Sequence, residues 1–445
     1  MNHEPKTSST WISRIGLRKL LLLSALLVVL AGLGFLFVRN LIDFPVYYAA
    51  GRSLIGGRTD LYSPDFALGR VMDYRYPPFF IVALVPLWLA PYSVAAYLWY
   101  LLSVLEIFGC IVIINLMFPA LRESKTNWLV LALAVGQYFV MAVHYGNVHL
   151  LAVFLLFASL YFILQQKNIA AAALMSLAIT IKLTPILILP YFALKKRWTF
   201  LAMTLGFLIV INLAPSVYFG IRSNTRLLGE WYEHVVASQQ FHEDNGPINL
   251  SLKGQLRRYL SPVDYSRRVD GDVQYSAVNV ASLTRERTET LWKVVAVILI
   301  GSVLVLIWRS PAGTRNEDEH QKKRQGFALE LGLLICVMLL IGPLTSKIYF
   351  IALLWPIACL IDFGGRTGAV RFAMRVVYSV ALANCVLPLL PGRSVQRLLL
   401  VLGVDFYVTS LLTAALIYVL VSRRRAFQAP AVEPQTRALS TARTP

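Results

Sequence analysis

The sequence predicts an all-α integral membrane protein, and three observations carry that prediction. Of its 445 residues, 57% are hydrophobic and only 15% charged, whereas soluble domains carry about a quarter charged residues. Apolar stretches such as Leu20 to Val38 and Trp292 to Trp308, the second broken only by Lys293 near its start, match the length that crosses a hydrocarbon core of about 30 Å. These stretches show no barrel-like alternation, and in lipid a backbone satisfies its amides only in helices or closed barrels. A soluble protein is thereby excluded.

Hydropathy, Pro and Gly breaks and basic flanks place about twelve spans. They lie near 17–38, 77–91, 92–117, 128–143, 146–164, 168–194, 197–220, 290–309, 326–346, 348–362, 372–391 and 395–421. The second and fourth, each about 15 residues, are short enough to be tilted, re-entrant or half-crossing. An even number of spans returns both termini to one side, with 1–16 and 422–445 as cytoplasmic tails around a transmembrane domain at 17–421. The second tail is rich in Arg, Ala, Pro and Thr and reads as disordered. The first span reads as retained, because no small-residue cleavage pattern precedes Asp43.

A net charge of +19 invites a nucleic-acid reading, so its location matters. The loop 39–76 holds five Arg and four Asp, and the loop 221–289 nine Lys or Arg and nine Asp or Glu, which together contribute only +1. The rest sits largely in short runs beside apolar spans: Arg14, Arg18 and Lys19; Lys195 to Arg197; Lys322 to Arg324; Arg366, Arg371 and Arg375; Arg423 to Arg425. That is the positive-inside pattern of a plasma-membrane protein, with both balanced loops outside. Solvated flanks account for the basic runs, and no nucleic-acid partner is expected. Cys110, Cys336, Cys359 and Cys385 fall in apolar stretches with neither metal-like nor disulfide-framework spacing. His144 and His149 flank a turn without a third ligand. Neither a metal nor a cofactor is expected.

Large loops on a rigid scaffold are where function concentrates. Asp43 follows the first span and opens the string Asp43-Phe44-Pro45-Val46-Tyr47-Tyr48-Ala49-Ala50. It suits an N-cap ahead of Pro45, and equally a general base for a hydroxyl presented at the lipid boundary; the two roles are compatible. Gly56-Gly57-Arg58-Thr59-Asp60-Leu61-Tyr62-Ser63-Pro64 and Tyr74-Arg75-Tyr76-Pro77-Pro78-Phe79-Phe80 follow. Their aromatics with Arg75 fit an interfacial belt, or a surface on which Arg75 neutralises a phosphate. Glu106 and Asp405 lie inside spans and suit structural pairing. Counted along 168–194, Lys182 falls toward the cytoplasmic side, far from an outer site, with Thr184-Pro185 kinking its helix.

Taken in order, these strings and Pro86-Leu87 resemble glycosyltransferase family 87. Tyr145-Gly146-Asn147-Val148 resembles that family's Gly-x-x-Asn turn. Ile181-Lys182-Leu183-Thr184-Pro185, followed by Pro190-Tyr191, resembles its Lys-x-Thr-Pro element, and Asn249-Leu250-Ser251-Leu252-Lys253-Gly254 its Asn-x-Ser-Leu-x-Gly segment. The resemblance covers roughly residues 40–360. One departure stands out: where the family often shows Ser-Pro-x-Ser-Trp with histidines, this chain reads Gly342-Pro343-Leu344-Thr345-Ser346-Lys347-Ile348-Tyr349. Lys347 there suits either the missing positive charge or a snorkelling anchor.

The resemblance implies a GT-C type helical bundle that moves a hexose, with mannose the implied sugar, from a polyprenyl-phosphate donor to a lipid or glycan hydroxyl outside the membrane. Inversion at the anomeric carbon needs one base and positive charge for the leaving phosphate. Asp43 fits as base, and Arg52, Arg75, Lys253, Arg257 and Lys347 as phosphate partners. Tyr47, Tyr48, Tyr62, Tyr76, Asn249, Ser251 and Tyr349 are expected to bind substrate, and the loop 221–289 to be partly helical above the same cavity. Two other classes share parts of this inventory. A flippase of polyprenyl-linked glycan should show paired repeats, which are not seen here; a surface-polysaccharide polymerase or ligase lacks the Asp-bearing loop directly after the first span.

Overall fold

The computed structural model of the chain describes residues 28–63, 74–237, 246–262, 277–309, 319–363 and 368–428, without the side chains of 319, 320, 322 and 426–428. Among these residues there is no strand, and seven helices are long and apolar enough to cross a membrane. The expected first tail, residues 429–445 of the second, Arg14, Arg18, Lys19, Arg366 and the side chain of Lys322 lie outside the described residues, whereas 422–428, expected as the start of a disordered tail, continue the last helix.

The first helix, α1 (Val28–Asn40), gives way at Leu41 to Asp43, and α2 (Phe44–Ile55) leaves at 74° to it. Pro45 sits in the first turn of α2, where its missing N–H costs nothing. Residues 77–91, expected as one short span, are two helices, α3 (Pro78–Ala83) and α4 (Val85–Leu89), broken around Leu84. Pro86 supports that break, because it has no N–H to continue a ladder. Trp88 of α4 is buried under α2: a Cβ on Gly51 would meet its indole at 2.2 Å, so only glycine permits this approach.

Next come α5 (Tyr92–Met117), α6 (Ala120–Glu123) and α7 (Lys125–Tyr145). Gly146 ends α7 with φ of 62°, the left-handed cap that favours glycine. The N–H groups of Ile42 and Asp43 both donate to the Tyr145 carbonyl, at 3.2 and 2.8 Å, so this cap fixes the break after α1. α8 (His149–Leu164) and α9 (Asn168–Ile181) form an antiparallel hairpin, with Ser159 Oγ donating to the Ala171 carbonyl at 2.7 Å.

The stretch 168–194, expected as a single span, reverses direction. After α9 the chain passes through extended Lys182 into a 3₁₀ turn at Thr184–Ile188, α10 (Leu189–Leu194) and α11 (Trp198–Leu213). Ser176 Oγ donates to the Thr204 carbonyl at 2.8 Å and Asn212 Nδ2 to Thr180 Oγ1 at 3.3 Å, so α9 and α11 run parallel. Parallel neighbours require the chain between them to return, and Pro185 removes the amide that would have carried α9 onward. Lys182 therefore sits at an apex at the His149 end of α8, opposite the Lys195–Arg197 end of the same helices, which corrects its expected position far from Asp43.

α12 (Ser216–Phe219), α13 (Ile221–Trp231) and α14 (Leu252–Leu260) make the second large loop and its approach partly helical, as expected. Trp231 Nε1 donates to the Arg75 carbonyl at 3.3 Å, and Tyr218 OH to that of Leu54 at 3.4 Å, so this region rests on the first loop. The remaining elements are α15 (Arg285–Trp308), α16 (Glu319–Ile341), a 3₁₀ turn at Lys347–Leu353 running into α17 (Leu354–Asp362), α18 (Gly368–Val386), α19 (Arg393–Leu402) and α20 (Val404–Gln428). The expected span 395–421 is thus divided at Gly403, whose φ of 72° turns the chain between α19 and α20.

Residues 328–342 and 348–361 are buried throughout, so α16 and α17 form the centre of the bundle. Leu205, Ile209 and Val210 of α11 and Val297 and Ile298 of α15 are exposed. Apolar surface of that extent finds its solvent in lipid tails. Within the bundle, Tyr138 OH donates to Asp405 Oδ1 at 2.6 Å and Asn384 Nδ2 to the Ala134 carbonyl, which gives Asp405 the structural pairing expected of it. The described basic runs gather at the far end of α16, about 26 Å from Ile341 by helical rise. There Arg324 donates to the Met117 carbonyl and pairs with Asp362 at 3.0 Å, and Arg423 lies 4.9 Å from the Phe363 ring centre.

Candidate active site

At the other end, Asp43 occupies the N-cap position of α2, yet its side chain makes no capping hydrogen bond. The carboxylate instead accepts from Asn147 Nδ2 at 2.6 Å, and Asn147 Oδ1 accepts from the His149 N–H at 2.7 Å. The capping role is therefore not realised, and the turn after α7 holds the acid. A charge-assisted bond of this length fixes both position and orientation. Burial holds the Asp43 carboxyl above its ordinary value of 3.8, opposed by the Asn147 bond and by the charges of Lys182 and Arg75. The other described carboxylate of this loop differs. Asp60 is clamped by Arg58 at 2.7 Å and by Ser63 at 2.8 Å, and Arg58 above all holds it down at about 2. A carboxylate raised toward neutrality is the better base.

Lys182 was not among the expected site residues, and the structure brings it in. Its ammonium bonds to the Tyr349 hydroxyl, 4.2 Å from that ring's centre, while acting on Asp43. Tyr349 in turn stacks on His149 with ring centres 4.2 Å apart. Tyr47 and Tyr76 join this group. Their hydroxyls lie 2.9 Å apart, and both rings feel the Asp43 charge. The reversal after α9 is what brings Lys182 here. The Thr184-Pro185 signal was visible in the sequence, but it was read as a kink within one span and not as a reversal.

The other expected residues are placed as follows. Arg52 is exposed and donates to the Trp88 carbonyl at 3.4 Å. Tyr48 OH donates to the Ala90 carbonyl and Tyr62 OH to that of Tyr76, each at 2.8 Å. Lys347 is half-buried at the start of the turn that carries Tyr349. Lys253 pairs with Glu289 at 3.7 Å and lies 5.0 Å from the Trp292 ring centre; burial lowers its ammonium pKa, and Arg257 is close enough to add to that effect. Asn249 staples the second loop to the 342–346 turn: Nδ2 donates to the Pro343 carbonyl at 2.9 Å, and Oδ1 accepts from the N–H groups of Ser251 and Thr345 and from Ser251 Oγ. Ser251 Oγ also caps α14 through the Gly254 N–H. Asn249 and Ser251 thus spend their hydrogen bonds on the fold. Among the described residues, no group of three His, Cys, Asp or Glu suits a metal ion.

Comparison with known proteins supplies an independent line. Polyprenol-phosphate-mannose-dependent alpha-(1-2)-phosphatidylinositol pentamannoside mannosyltransferase of Mycolicibacterium smegmatis (strain ATCC 700084 / mc(2)155) is 28% identical over 171 residues, 37% of this chain and 40% of that relative. The alignment therefore spans less than half of the relative's length. No solved structure matches. The family model described as glycosyltransferase family 87 matches residues 74–343, more than half of the chain. The matched stretch contains Arg75, Asn147, His149 and Lys182, with Asp43 just upstream of it. The chain belongs to glycosyltransferase family 87.

Proposed function

We infer that the protein is a plasma-membrane hexosyltransferase that takes a sugar, mannose by analogy with the relative's name, from a polyprenyl phosphate and passes it to a lipid or glycan hydroxyl on the outer face. The observation that carries this reading is Asp43, clamped by Asn147 and flanked by Lys182 and Arg75. Asn147 occupies Oδ2, and Oδ1 takes the proton of the acceptor hydroxyl. The acceptor oxygen attacks the anomeric carbon, the bond to the phosphate oxygen breaks on the opposite face, and the configuration inverts. Lys182 and Arg75 meet the charge that develops on the leaving phosphate, and Lys347, two residues before Tyr349, is assigned to assist them.

The polyprenyl tail stays in hydrocarbon, because drawing it into water costs about 0.8 kcal/mol per CH₂ unit. The phosphate cannot follow it into the core, so the two meet the protein at the interface. Lys253, Arg257 and Arg52 are assigned to a wider basic rim on this reading, with both termini cytoplasmic. The test is incubation of purified protein with polyprenyl-phosphate mannose, glucose and galactose and with extracted membrane lipids as acceptors. Transfer of one sugar to a lipid supports the reading; no transfer from any of them overturns it.

A further inference from the structure

His149 is 3% exposed, yet neither of its ring nitrogens makes a hydrogen bond, although the Tyr349 backbone lies close enough to act on the ring. Buried polar atoms are nearly always satisfied, and leaving one unmade is costly, so an imidazole that completes no hydrogen bond inside the fold calls for a partner that arrives from outside it. Its surroundings say what kind. The His149 N–H bonds to Asn147, which holds Asp43, and the ring stacks on Tyr349, which holds Lys182. The backbone of His149 is thus tied to the turn that holds the acid, and its ring stacks on the tyrosine that holds the ammonium.

A neutral imidazole presents one N–H donor and one lone-pair acceptor. A phosphate offers acceptors only and would leave the basic nitrogen open. Sugar hydroxyls both donate and accept, and so match both nitrogens. We propose that His149 reads hydroxyl groups of the donor hexose and sets which sugar the enzyme accepts. This rests on the donor class inferred above and adds a specificity residue to it. Mismatch of a hydroxyl against a site built to bond it leaves buried polar groups unpaired, the situation in which enzymes discriminate most strongly.

His149→Phe keeps the ring and the stack on Tyr349 while removing both nitrogens; His149→Gln restores a donor and an acceptor. The expected result for His149→Phe is at least a tenfold loss in kcat/KM for the preferred hexose, a flattened preference among polyprenyl-phosphate mannose, glucose and galactose, and an unchanged or raised Tm. His149→Gln should recover part of the loss. Thermal stabilisation by sugar-free polyprenyl phosphate should be equal in wild type and His149→Phe, while stabilisation by the hexosyl lipid should weaken in the variant. If His149→Phe keeps wild-type rates and the same order of sugars, the proposal is overturned and the ring is packing alone. Equal weakening toward both lipids would move His149 to the phosphate and also overturn it. Should wild type respond to none of these lipids, the donor class itself falls, and the inference with it.

Discussion

The two ends of the bundle use the same residue types in opposite ways. At the far end the carboxylates meet their cations directly: Lys195 reaches Glu330 at 2.8 Å with Tyr191 on the other oxygen, and Arg324 reaches Asp362 at 3.0 Å. Such pairs consume their own charge and act as fasteners between helices. At the Asp43 end the acid is gripped by an amide, and the nearby ammonium of Lys182 is directed to a tyrosine hydroxyl. Asp43 and Lys182 are thus held close without being joined as an ion pair, unlike Arg58 and Asp60 in the same loop. The difference separates scaffolding from chemistry more clearly than residue type or burial does, since Glu330 is as buried as many catalytic acids.

This contrast is open to attack by mutation. Asp43→Asn should lose about 10² to 10⁴ in transfer rate, the worth of a placed proton acceptor, with Tm unchanged because no cap is lost; turnover and thermal melts of the purified variant check this. Lys182→Met should cost about 10² to 10³ in kcat, as removal of one preorganised charge does, with little change in fold. Asn249→Ala should act through stability instead, lowering it by about 2 to 3 kcal/mol because the second loop loses its staple to the 342–346 turn; a large drop in kcat at full stability would return Asn249 to the substrate. Glu330→Gln should cost about 1 to 2 kcal/mol and leave turnover per folded molecule intact, since the amide still accepts from Tyr191.

Hydropathy alone revealed the helical membrane class, because twenty-residue apolar runs have few other physical solutions. Asp43 and Arg75 were legible too, since a charge beside a span carries a cost that has to be answered. Lys182 was misplaced because residue counting took 168–194 as one kinked span where Pro185 turns the chain back. The role of His149 was hidden for another reason. Its partners Tyr349 and Lys182 are distant in sequence, and contacts across helices leave no periodic trace. Asn249 stood out as a motif, but a motif does not say whether its hydrogen bonds face a ligand or the fold.

The central claim is that Asp43 is the proton acceptor and that Lys182 tunes it, and the acid limb of the rate profile tests this most directly. A base works unprotonated, so the rate should fall as pH drops through the Asp43 pKa, above the ordinary 3.8 because burial raises it. Lys182 opposes that rise, so in Lys182→Met the limb should move to still higher pH. A wild-type limb at or below the ordinary aspartate value, or one that stays in place when Lys182 is replaced, would contradict the account.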